Sequence, residues 1–88
     1  MLWIKEDTLS PKRLMLLGDI FSNGINLVRM HQLSDFVMLK SALNTNLQLA
    51  RDIKNMNPVD MVNWSYCRSK AEEFLKEFKE LEDQYNEQ

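Results

Sequence analysis

Eighty-eight residues make at most one domain, and 44% hydrophobic with 27% charged residues is a globular balance that excludes a disordered tail. Gly and Pro number two each, too few for a turn-rich β-sandwich or barrel. A net charge of −2 argues against a dedicated nucleic-acid binder, and so small a chain points to a partner or to self-association to complete its core.

The chain opens on Met1-Leu2-Trp3-Ile4, with Lys5-Glu6-Asp7 following. A secretory signal places its charges first, so no export signal is expected here. No uninterrupted apolar run is longer than four residues, as in Leu14 to Leu17, far short of the roughly 20 residues that a membrane-spanning helix needs. Cys67 is the single cysteine; it has no internal partner and fits a reducing, cytoplasmic setting. Residues 1–9 read as an N-terminal arm, and 10–88 as one helical domain.

Ser10-Pro11 carries a helix start. Ser10 is placed to cap, and Pro11 fills the first helical position, where its missing N–H is not needed. Leu9 and Leu14 have the spacing of a hydrophobic staple across that cap. From there a helical arm is expected over 11–56, with Leu17, Phe21, Ile25 and Val28 continuing into Phe36, Leu43, Leu47, Ala50 and Ile53 as one stripe. Unbroken, it would run about 70 Å at 1.5 Å per residue. Two places can interrupt it: Ser22-Asn23-Gly24 has the composition of a helix end, and Ser34-Asp35 can cap a restart. The expectation placed here is a break near Gly24.

A second start of the same construction is read at Asn57-Pro58, with Asn57 as cap, Asp60 in the first turn, and Met56 and Met61 at staple spacing. The C-terminal helix then spans 58–86. Its stripe is Met61, Trp64, Arg68, Ala71, Leu75, Phe78, Leu81 and Tyr85, and its opposite face carries Lys70, Glu72, Glu73, Lys76, Glu77, Lys79, Glu80 and Asp83. That charge run reads as a solvated face laced with i, i+4 pairs. The fold class is all-α: an antiparallel helical hairpin or a small three-helix bundle, completed by a dimer or tetramer.

Chemistry is sparse. His31 and Cys67 are each the only residue of their kind, too few for the usual zinc ligand set. Gly18 and Gly24 do not make a phosphate loop, and the acids lie on helix faces without pairing, so no enzyme activity and no cofactor are expected. Residues 1–57 carry seven basic and five acidic side chains, while 58–88 carry four and eight. This division makes the molecule dipolar without building a basic stripe. A helix–turn–helix reading would rest on Gly24 followed by Asn26, Arg29, His31 and Gln32, which is thin. More telling are Met15, Met30, Met38, Met56 and Met61, since Met adapts to irregular apolar surfaces. They serve either as core filling or as a face for a partner protein, a lipid or a polymer.

The stretch Asn46-Leu47-Gln48-Leu49-Ala50-Arg51-Asp52-Ile53, then Asn57-Pro58-Val59-Asp60-Met61-Val62, then Tyr66 and Ala71-Glu72-Glu73-Phe74, resembles the phasin family. The resemblance covers residues 46–88. It implies a long amphipathic helix, a Pro-plus-acid junction and a second helix, on a protein that coats intracellular polyhydroxyalkanoate granules. It further implies an apolar face of Leu43, Leu47, Ala50, Ile53, Met61, Trp64, Leu75 and Phe78, which either pairs in an oligomer or opens onto the granule. The alternative reading from the residues themselves is a small helical adaptor that binds a partner protein through a Met- and aromatic-rich face.

Overall fold

Ser10 and Pro11 start the first helix as their chemistry requires. In the computed structural model, which describes residues 10–57 and 62–88, the Ser10 hydroxyl accepts the Arg13 N–H at 3.3 Å and its carbonyl accepts from Leu14 at 2.9 Å. Helix α1 runs Pro11–Met30, passing through Gly18 and Gly24 without a break. The expected break at Gly24 is therefore corrected. Neither glycine has a positive φ; both are ordinary helical residues whose missing side chains make room for rings of another helix.

The chain turns instead at 31–35, the second of the two places read from the sequence. His31 and Gln32 are extended, and Leu33–Asp35 form a single 3₁₀ turn. His31 Nδ1 lies 2.7 Å from the Leu27 carbonyl oxygen, so it must donate there, satisfying one of the orphan carbonyls at the end of α1. The Asp35 carboxylate accepts the Gln32 N–H at 3.2 Å. Two side chains thus close one helix and prepare the next, which is why the bend sits here rather than at a glycine. Helix α2 follows as Phe36–Asn55.

The last helix, α3, spans Trp64–Asn86, so the single helix expected over 58–86 does not run unbroken through residues 62 and 63, and its expected start at Pro58 lies outside the described residues. Residues 58–61, with the Met61 end of the proposed staple, lie outside the described residues, as do residues 1–9. Val62 and Asn63 form a turn, and Asn63 is the only described non-glycine residue with positive φ, at 74°. Asn is one of the few residues that accepts this left-handed conformation readily. Its Nδ2 donates to the Pro11 carbonyl at 3.0 Å, tying the start of α3 to the start of α1.

The three helices form an up-down-up bundle, 43 × 22 × 18 Å, with no strand among the described residues. Helix α3 is the shared element. It lies parallel to α1, with Asn63 beside Pro11, Phe74 beside Gly24, and Glu77 beside Arg29. It runs antiparallel to α2, with Tyr85 beside Phe36 and Glu82 beside Lys40. Helices α1 and α2 touch each other far less than either touches α3. The stripes read from the sequence meet in one core that includes Leu17, Phe21, Leu43, Ile53 and Ala71, but on α3 Cys67 and Phe74 are buried as well, and Arg68 and Leu75 of the expected stripe are only half-buried. The all-α bundle expected from periodicity is therefore present, its long arm folded in two.

Candidate functional site

The eight residues proposed as an interaction face can be placed one by one. Leu43, Leu47, Ala50, Ile53, Trp64 and Phe78 are buried, each no more than 6% exposed, inside the bundle. Leu75 is half-buried at its edge, and Met61 lies outside the described residues. The structure brings Leu47, Leu75 and Phe78 together along a shallow groove of about 350 Å³ between α2 and α3, rimmed by Arg51, Lys54, Lys79 and Glu82. Trp64 lines a separate shallow pocket with Arg68 and Glu72, while Leu43, Ala50 and Ile53 meet a ligand only if the helices separate.

What the bundle leaves outside is a different set. Helix α1 spends Leu14, Leu17, Phe21, Ile25 and Val28 on the core, yet Leu16, Ile20, Leu27 and Met30 remain 49%, 38%, 39% and 77% exposed. With Asn23 between them, these residues step by four, three, four and three, so at 100° per residue they form one line along the helix, roughly opposite the core. From Leu16 to Met30 the line is about 21 Å long. Met15 is exposed beside it, and Val37 and Met38 are exposed on the first turn of α2. Of the four described methionines, Met15, Met30 and Met38 are exposed and Met56 is half-buried, so the methionines face outward more than they fill the core.

Polar contacts tie α1 to α3 beneath this line. Arg29 grips Glu77 with two bonds, 3.2 Å from Nε and 3.0 Å from a terminal nitrogen, and reaches Glu73 at 3.3 Å. The bonding and charge of Glu77 push the guanidinium up, and the same bond holds the Glu77 carboxyl below its ordinary range. Part of the charged face of α3 is thus an interhelix clamp rather than a solvated surface. Within α3, Glu72 pairs with Arg68 and Glu73 with Lys70, while Lys79–Asp83 forms as spaced in the sequence. Tyr66 donates to Asp19 at 2.7 Å, and that bond raises the Tyr66 phenol.

The two residues weighed for chemistry have structural surroundings. His31 closes α1 as described above. Cys67 is fully buried, and desolvation pushes its thiol up to about 11, so little reactive thiolate exists near neutrality. Among the described residues no group of three or more His, Cys, Asp or Glu is arranged to hold a metal ion. No helix among them is long and apolar enough to cross a membrane. Compared with known proteins, the chain matches no family model, no curated protein and no solved structure.

The site missed in the sequence is therefore the second apolar line of α1. Its signal was present in the spacing of Leu16, Ile20, Leu27 and Met30, but Leu17, Phe21, Ile25 and Val28 on the same helix gave the stronger stripe.

Proposed function

We propose that this chain is a non-enzymatic helical adaptor that binds a partner protein through the outer face of α1. The observation that supports it is the line of Leu16, Ile20, Leu27 and Met30, exposed on a helix whose other face already fills a closed core. An ordinary surface helix keeps one apolar stripe and a polar opposite face, so a helix apolar on two faces has a second surface to bury. Each leucine or isoleucine transferred fully from water contributes about 1.5–3 kcal/mol, so several partly exposed ones form a useful anchor for an amphipathic helix.

Granule coating, which the phasin resemblance implies, makes a different demand. Leu43, Ala50 and Ile53 would have to leave the core to meet the polymer. Binding through α1 needs no opening, and the adaptor reading is favoured for that reason.

The test compares the wild-type chain with Leu27→Asp as bait in lysate of the source cell. One protein retained in stoichiometric amount by wild type and lost with Leu27→Asp supports the adaptor, provided both chains melt alike. Retention by both equally, or co-sedimentation with polyhydroxyalkanoate granules untouched by Leu27→Asp, overturns it.

A further inference from the structure

The outer face of α1 is complementary to itself. We propose that its occupant is a second copy of this chain, docked antiparallel across a two-fold axis near Asn23. This inference rests on the reading of that face as a protein-binding surface and names the protein.

The spacing is the first reason. Leu16 and Met30 lie seven residues to either side of Asn23, and Ile20 and Leu27 lie three and four residues from it. Turning one copy by two-fold symmetry about Asn23 sets Leu16 on the partner's Met30 at both ends. The same operation sets Ile20 against the partner's Leu27, twice, around the centre. Steps of four and three keep such residues on one seam, as helices packed side by side require. An isologous contact of this kind closes at two copies and leaves no apolar end exposed.

Asn23 is the second reason. It is exposed, on the line of the apolar residues, and at the position where the two-fold axis passes. Its amide has both a donor and an acceptor, so two symmetry-related copies satisfy each other. A single polar residue in an apolar seam also disfavours slipped registers, which would bury it against Leu or Ile.

Charge decides the direction. Lys12 and Arg13 are exposed in the first turn of α1, which holds no acid, at the helix end where cations are least favoured. Antiparallel docking brings that end to the partner's α1 C-terminus and the 31–35 turn, placing Lys12 near the partner's Asp35. Asp35 is only half-buried, and the Gln32 N–H takes one of its oxygens, so its carboxylate keeps acceptor capacity for a cation. A parallel pair would set Lys12 and Arg13 against their own copies. Asp19 and Arg29, the other charges on the exposed side of α1, are already held by Tyr66 and by Glu73 and Glu77 of α3.

The seam is narrow. A stable interface buries about 800 Å² per partner, more than four side chains supply, so the dimer forms at micromolar rather than nanomolar concentration. Sedimentation equilibrium of the full chain, from about 10 µM to about 1 mM, is expected to show the mass rising from 10.4 kDa toward twice that value. Leu27→Asp is expected to stay at the monomer mass throughout, with an unchanged melt because the residue is outside the core.

Cysteine cross-linking reads the direction. Under mild oxidation Asn23→Cys should form a disulfide-linked homodimer. Leu16→Cys and Met30→Cys should each fail alone but link to each other when mixed. Buried Cys67 makes the wild-type chain a blank in this assay. A monomer at about 1 mM, or homodimers of Leu16→Cys forming as readily as those of Asn23→Cys, overturns the proposal. If the chain is monomeric while a Leu27→Asp-sensitive partner is still captured, self-pairing alone falls; if neither appears, the α1 face is no interface.

Discussion

The two sides of α3 are held in different ways. Against α1 the contact is close and notched: Gly24 lies under the Phe74 ring, Gly18 under Tyr66, Phe21 stacks on Phe74 at 6.1 Å, and Arg29 clamps two glutamates. Against α2 the contact is made by bulkier pairs. Phe36 packs on Tyr85 at 4.6 Å and on Phe78 at 5.4 Å, Lys40 bridges to Glu82, and two shallow grooves of about 350 and 530 Å³ run along the seam. Removing a side chain lets helices approach; adding rings holds them apart and leaves furrows. The α1 side is therefore the more closely packed half, and it is the half whose far face carries the exposed apolar line.

The sharpest way to break this contrast is Phe74→Ala. It empties the ring from the Gly24 notch and should cost about 3–5 kcal/mol in denaturant unfolding. A loss near 1 kcal/mol would mean the α1 seam is no tighter than its counterpart.

Glycine substitutions come next and should differ from each other. A Cβ at Gly24 would stand 2.6 Å from Cε1 of Phe74, a ring with no exposure and nowhere to move, so Gly24→Ala should destabilise by about 1–3 kcal/mol. Gly18→Ala also meets a ring, but Tyr66 is exposed and can swing outward with loss of its Asp19 bond. The gain in helix propensity, about 1 kcal/mol, then brings Gly18→Ala close to neutral. Thermal melts that show equal effects would remove the distinction between a fixed and a yielding ring.

Asn63 and Asn57 sharpen the same seam at its lower end. Asn63→Ala loses the bond to Pro11 and puts at φ 74° a residue that accepts the left-handed conformation less readily than Asn, which should cost about 1–2 kcal/mol. Asn57 is exposed and belongs to neither α2 nor α3, so Asn57→Ala should stay within about 0.5 kcal/mol. The reverse order would restore a helix start at residue 58.

The smallest effect concerns acid. Glu77 is held below its ordinary carboxyl range by Arg29, so its contribution is full above that range and is lost as pH falls through the lowered folded value. The stability gap between wild type and Glu77→Gln should therefore shrink below about pH 4. A gap independent of pH would show that the clamp acts by packing alone.

Legibility in the sequence followed the range of the interaction. The cap at Ser10-Pro11 was readable because all its partners lie within four residues. The core membership of Leu43, Leu47, Ala50, Ile53, Trp64 and Phe78 was readable as periodicity, though what those residues bury against was not. Gly24 was misread for a physical reason: a glycine looks the same in sequence whether it ends a helix or admits a ring, and here the ring belongs to Phe74, fifty residues on. Glu73 and Glu77 looked solvated because Arg29, their partner, is more than forty residues away.

By itself, then, the sequence determined the helical class, the first cap, the turn candidates and the apolar periodicities, since each is encoded in neighbours a few residues apart. Tertiary structure alone decided which turn candidate is used, where α3 starts, and that a second apolar line of α1 stays outside. Helix α1 offers two apolar faces, and the rings of α3 fit only the one that carries the glycines. Leu16, Ile20, Leu27 and Met30 are left outside as a consequence of that fit.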